Sequence, residues 1–291
     1  MTLVLQLIVD GMGMGLIYVI LAAGLVLILS VSRIFLIAYG QFYMIGAYVV
    51  WAGSTFLKLP FPVSLCMSVL TTAMLALICY RLIFHYIQYL ERQFLAMIVA
   101  AIGLMMVLGQ TGLVLFGTSP RGVGTIFPGL VHFIGINVSV EKLVLMVLAI
   151  TITLTLFFVY EKTKIGRAMQ AVSFNPDAAS LMGVDTERIF LVTMAIGGAL
   201  AGFAGGIMTP VYGVYPEMGQ EIILSVIIVV MLGGMDSLFG AVIGGLIMGL
   251  TMSFGQYFTA GLGHILLFFL VGILLLFRPA GLLGSGTAID V

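Results

Sequence analysis

The chain is 291 residues long, 62% hydrophobic and 8% charged, and its eleven Lys and Arg balance its eleven Asp and Glu. Soluble domains carry about 25% charged residues. This composition, with a mean hydropathy of +1.29, therefore excludes an ordinary soluble enzyme and indicates a polytopic protein of the lipid bilayer. Zero net charge supplies no electrostatic footprint for nucleic acid. Cys66 and Cys79 fall in one apolar run, where a thiol acts as a small hydrophobe, so neither a disulfide framework nor a metal site is expected.

A helix needs about 20 predominantly apolar residues to cross a bilayer. In chain order, segments near that length are 12–31, 39–57, 62–84, 94–116, 142–160, 189–209, 221–234, 238–258 and 263–277. They predict an all-α bundle of eight or nine crossings, with residues 1–291 forming a single transmembrane domain. The leading sequence MTLVLQLIVDGMG has no basic n-region or cleavage site, so the first helix is expected to be retained. Two segments are irregular. The run 221–234 is short, and 39–57 opens on polar Tyr39-Gly40-Gln41; each suits a broken or re-entrant segment, which lipid tolerates only where protein buries the backbone.

One long polar stretch interrupts the pattern, 161–188, with Glu161, Asp177, Asp185 and Glu187 against Lys162, Lys164, Arg167 and Arg188. Placing it in the cytoplasm puts Arg33, Arg81, Arg92, Arg278 and its own four basic residues inside. Only Lys58, Arg121 and Lys142 are left outside. That asymmetry predicts an external N-terminus and a cytoplasmic C-terminus. Within the stretch, Asn175 precedes Pro176 and Asp177 as an N-cap precedes a first helical turn, and Gly183 is placed to end the helix. A second short helix is expected over 165–172. Phe174, Leu181 and Met182 are then apolar groups on a charged knob. They suit either the groove of a soluble partner or a helix pair resting on lipid headgroups.

Thirty-seven glycines form clusters at Gly11, Gly13 and Gly15, at Gly197, Gly198, Gly202, Gly205 and Gly206, and around Gly233 to Gly245. Small residues at such spacing let helix backbones approach closely in lipid; beside Pro210 or Asp236 they also suit helix breaks along a transport pathway.

The stretch IGRAMQAVSFNPDAASLMGVD, from Ile165 to Asp185, resembles the cytoplasmic coupling loop of ABC importer permeases, and specifically of the branched-chain amino acid permease family. Three further segments are similar to that family in the same order: Arg33–Tyr48 (RIFLIAYGQFYMIGAY), Val230–Gly245 (VMLGGMDSLFGAVIGG) and Phe277–Gly284 (FRPAGLLG). The resemblance implies a polytopic permease of the bacterial inner membrane that works by alternating access. It further implies a second permease subunit, homologous or identical, two cytoplasmic ATP-binding subunits and a periplasmic solute-binding protein. ATP would be held by those partner subunits, with no cofactor on this chain. Arg167, Phe174, Asn175, Asp177, Leu181, Met182 and Gly183 would carry ATPase coupling. The chain departs from the family pattern at Leu36, Tyr39 and Gln41, where Asn, His and Glu are common, and at Asp236, where glycine is usual; these departures bear on the solute.

No catalytic constellation is present in the sequence. His85, His132 and His264 lie far apart, without the paired spacing of metal ligands, and no phosphate-binding loop occurs. Glu217 and Glu221, four residues apart with Gln220 between, follow an aromatic segment containing Pro210 and Pro216. They suit either a pathway mouth for a zwitterion or solvated helix ends. Tyr18, Gln41 and Tyr43 complete the candidate substrate pathway, although Tyr39, Tyr43 and Tyr48 also fit an interfacial aromatic belt. Asp10 is expected at an exposed helix end, and Asp236 is expected to cap the helix that follows it. Two alternatives stay open: a permease of the same fold for urea, short amides or another small polar solute, and a stand-alone secondary transporter or channel.

Overall fold

The computed structural model describes residues 2–88, 93–124, 129–133 and 136–258, with 272, 276, 278 and 281–283. The helices are α1 (Thr2–Ser32), α2 (Tyr39–Thr55), α3 (Phe61–Cys79), α4 (His85–Ile87), α5 (Gln93–Phe116), α6 (Val140–Lys162), α7 (Lys164–Phe174), α8 (Pro176–Leu181), α9 (Thr186–Tyr212), α10 (Met218–Gly233) and α11 (Leu238–Phe258). A π-helical turn, Tyr80–Phe84, joins α3 to α4. The expected all-α reading needs one addition: β1 (Leu130–Phe133) and β2 (Ile136–Ser139) pair as a short antiparallel hairpin before α6. Six helices among the described residues are long and apolar enough to cross a membrane. The expected eight or nine crossings therefore stand at six candidates plus the short α2 and α10; the ninth segment, 263–277, and His264 lie outside the described residues apart from 272 and 276.

The chain divides into two compact units. The first comprises Met1–Val26, Thr125–Thr151 and Leu224–Val291. Here the glycine clusters act as packing surfaces. A Cβ at Gly11 of α1 would lie 3.0 Å from the Leu250 Cα of α11, and one at Gly15 would lie 3.1 Å from the Gly245 carbonyl oxygen. Ser253 Oγ donates to the Leu7 carbonyl at 2.7 Å, a polar tie between closely packed helices. Asp10 has a partner beyond the exposure expected of it, the Lys142 ammonium at 2.7 Å. Gly234 ends α10 with φ +107°. The cap of α11 is Ser237, whose Oγ accepts from the Gly240 N–H at 3.0 Å. Asp236 is exposed one residue earlier, which corrects the expectation that it caps the helix.

The second unit, Leu27–Gly124 and Ile152–Ile223, is built around α2, which packs against α3, α5 and α9. Gly46 of α2 and Gly202 of α9 meet backbone to backbone. The Ser68 hydroxyl of α3 is shared between their carbonyls at 3.0 and 2.8 Å. The glycines of α9 thus serve contact, and α9 continues through Pro210 to Tyr212 without breaking.

The path of α2 explains its length. It runs beside α5 in the same direction: Gln41 lies beside Gly109, Met44 beside Gly112, and the Tyr48 ring stacks on Phe116 at 4.1 Å. Gly109 is sixteen residues into α5, about 24 Å along it at ~1.5 Å per residue, so α2 starts well inside the span. The chain reaches that point through a non-helical linker after Arg33 (φ +53°), with Ile34, Leu36 and Ala38 buried. Irregular backbone at this depth is tolerated because protein, not lipid, surrounds it. The same burial overturns the belt reading of Tyr39, Tyr43 and Tyr48, which are 0%, 3% and 2% exposed.

Candidate coupling and permeation sites

The polar stretch folds as local chemistry dictates. Thr163 caps α7 by accepting from the Gly166 N–H at 3.1 Å, and Gln170 Nε2 ties α7 back to the Tyr160 carbonyl at 2.8 Å. Asn175 Oδ1 caps α8, accepting from Asp177 and Ala178 at 3.0 and 3.1 Å. Pro176 takes the first helical position, and Gly183 follows the helix with φ +86°. Asp185, a cap not anticipated from sequence, accepts from the Arg188 N–H at 3.1 Å; its signal was an Asp placed three residues ahead of Arg188 and followed by Glu187 in the first turn.

The helical pair has two faces. Met169 and Val172 of α7 and Ala179 of α8 pack with Val31, near the end of α1, and Ile189 of α9 in one buried cluster. Phe174, Leu181 and Met182 point the other way, 87%, 88% and 86% exposed. Arg167, Asn175, Asp177 and Gly183 are exposed as well. The pair is thus fixed to the helical body on one side and offers three unpaired apolar side chains on the other. Val31, one apolar residue among many in the first span, joins this cluster to the linker leading into α2.

The candidate pathway residues divide by burial. Gln41, 3% exposed, sits in the first turn of α2, and its Oε1 has no partner among the described residues. It is wedged at the meeting of two helix starts. A Cβ at Gly219, in the first turn of α10, would come within 2.9 Å of Gln41 Oε1, and one at Gly109 within 3.4 Å of its Nε2. Gly40 adjoins the Gly219 carbonyl so closely that a larger residue would collide with it. The turn bearing Glu217, Gln220 and Glu221 is thereby brought beside Gln41. All three are exposed, and Glu221 accepts from the Tyr215 hydroxyl at 2.6 Å. Tyr43 is buried within α2 one turn past Tyr39, its carbonyl against Gly205 of α9. Tyr18 is buried on α1 in the other unit.

The family model for the branched-chain amino acid transport system permease component matches residues 7–277, in agreement with the resemblance carried by the four sequence segments. Over nearly its full length the chain is similar to the high-affinity branched-chain amino acid transport system permease protein BraD of Pseudomonas aeruginosa, 26% identical over 297 residues, 96% of this chain and 95% of that one. A shorter stretch is similar to the xylose transport system permease protein XylH of Haemophilus influenzae, 35% identical over 120 residues, 36% of this chain and 32% of that one. Among solved structures, PsaBC from Streptococcus pneumoniae in complex with Fab shares the fold, with a TM-score of 0.50 over 92% of this chain and 89% of that one at 13% identity.

Proposed function

Because the chain belongs to the branched-chain amino acid transport permease family of ABC transporters, we propose that it is the membrane subunit of an importer moving branched-chain or related amino acids across the bacterial inner membrane. A transport permease is not an enzyme, and ATP hydrolysis falls to two cytoplasmic ATP-binding subunits. A second permease subunit completes the pathway, and a periplasmic solute-binding protein delivers the solute. The N-terminus is outside and the C-terminus cytoplasmic, the arrangement that keeps most Lys and Arg inside.

The observation that carries this reading is the α7–α8 pair, anchored through Met169, Val172 and Ala179 while presenting Phe174, Leu181 and Met182 outward. Nucleotide-driven movement of the ATPases would push on this face. The buried cluster passes the displacement to Val31, and the short linker after Arg33 passes it to the first turn of α2, where Gln41 meets the Gly219 turn. Gln41, Tyr43, Glu217, Gln220, Glu221 and, in the other unit, Tyr18 are assigned to the solute pathway. Gln41 offers an amide that hydrogen-bonds polar solute groups without fixing a charge, which a pathway needing weak binding favours.

The test is uptake of radiolabelled leucine by proteoliposomes holding the permease pair, the ATPases and the binding protein. Uptake that requires both ATP and the binding protein is expected. Uptake that persists without ATP would instead identify a stand-alone secondary transporter or channel. The likeness to a xylose permease and the amide of Gln41 favour a second reading, a permease for another small neutral polar solute; competition by unlabelled urea, short amides and pentoses separates the two.

A further inference from the structure

One basic residue is held in a manner that helix-end solvation does not explain. Arg121 lies past the end of α5, yet its backbone N–H and C=O both pair with Val214, at 2.9 and 2.8 Å. Its guanidinium lies over the Trp51 ring of α2, 4.5 Å from the centroid. Its Nη2 donates to the Phe116 carbonyl at 2.6 Å. The backbone pairing fixes the main chain, and two side-chain contacts hold a guanidinium that ordinarily has many rotamers, while spending one of its five N–H donors. No carboxylate pairs with it among the described residues.

Two polar groups stand close by. Glu217 follows Val214 by three residues and is exposed. Tyr48, whose ring packs on Phe116 and edge-on to Trp51, is 2% exposed, and its hydroxyl has no hydrogen-bond partner among the described residues. The group thus combines an oriented cation with open donors, a carboxylate and an unspent buried hydroxyl, set beside the rings of Trp51 and Phe116.

We propose that Arg121 and Glu217 form a receiving site for a zwitterionic α-amino acid, Arg121 binding its carboxylate and Glu217 its ammonium group. The guanidinium fork matches a carboxylate in two parallel hydrogen bonds, and its immobilisation lowers the entropy cost of making them. Phe116, half-buried, gives the solute's aliphatic side chain an apolar surface, and the Tyr48 hydroxyl supplies one further donor when the solute enters. The site lies at the Phe116 end of α5, some seven residues beyond the level of Gln41 at Gly109, so solute would meet it before or after the amide and never at the same moment. This inference rests on the amino acid permease reading.

Trp51 is the chain's single tryptophan and carries the proposed guanidinium on its face, so its fluorescence reports the site directly. The full chain in lipid nanodiscs is titrated with leucine, with 3-methylbutylamine, which lacks the carboxylate, and with 4-methylpentanoate, which lacks the ammonium group. Leucine is expected to change Trp51 emission saturably, each analogue binding at least about tenfold more weakly, the factor that about 1.4 kcal/mol represents. Arg121→Gln should abolish the leucine response and Arg121→Lys keep part of it; Glu217→Gln should weaken leucine and the amine while leaving the acid unchanged. Should Arg121→Gln fail to fold, the comparison of the three compounds on the unaltered chain and the Arg121→Lys variant still decides. Equal responses to all three compounds, or none to leucine, would overturn the site. ATP-driven leucine uptake by the complete transporter is measured in parallel: uptake with no Trp51 response sinks the receiving site alone, whereas a Trp51 response without uptake sinks the transport reading and leaves the site standing.

Discussion

Asp236 and Ser237 illustrate how one residue's shift in register changes its role. The carboxylate of Asp236 is exposed and the Ser237 hydroxyl holds the Gly240 N–H, so removing the hydroxyl should cost more than removing the charge. Ser237→Ala is expected to lower stability by about 0.5–2 kcal/mol, the range for loss of an N-cap, read as a fall in the melting temperature of the solubilised protein. Asp236→Asn should leave both melting temperature and uptake nearly unchanged. Normal expression with abolished uptake in Asp236→Asn would make Asp236 a functional charge and this assignment wrong. Caps at Asn175 and Gly183 were legible in the sequence because a cap is a contact within four residues. Asp236 was misplaced for the same reason: Asp and Ser are both good caps, and only the backbone decides which one precedes the first turn.

At the scale of an element, α2 is the part least legible in advance. Its tyrosines carry the amphipathic signature of a membrane interface, and nothing within the segment says that protein would cover them. Burial is decided by partners more than a hundred residues away, Gly202 and Gly205 on α9 and Gly219 on α10, and spacing along one segment does not reveal a crossing of that kind. What was legible was irregularity: the polar start at Tyr39-Gly40-Gln41 and the shortness of 221–234 marked the two helices whose first turns meet. The burial pattern predicts an unequal response to water-soluble thiol reagents. In a chain with Cys66 and Cys79 replaced, cysteines at positions 217, 220 and 221 should react at rest. A cysteine at Gln41 should react at least about tenfold more slowly, as expected for a group reached only by an opening costing some 1.4 kcal/mol, and should accelerate when ATP and binding protein drive turnover. Equal rates at Gln41 and Glu217 at rest would contradict the interior placement of α2.

For the whole molecule, the membrane class and the permease family were both readable from sequence, the first from composition and the second from four segments in order. The route from the charged helix pair to the pathway was not, because it depends on Val31 meeting Met169, Val172, Ala179 and Ile189 across more than a hundred residues of chain. That route begins at the exposed apolar face of α8. Leu181 is 88% exposed, so Leu181→Asp should leave insertion and folding intact, since surface substitutions stay within about 0.5 kcal/mol. A charge placed into an apolar anchor point of an interface should weaken ATPase association by about tenfold or more. The decisive measurement is co-purification of the ATPase subunits with Leu181→Asp permease, alongside ATP-driven uptake in the same proteoliposomes. Both should fall sharply at an unchanged level of membrane-inserted permease; undiminished co-purification together with undiminished uptake would contradict a coupling role for this face.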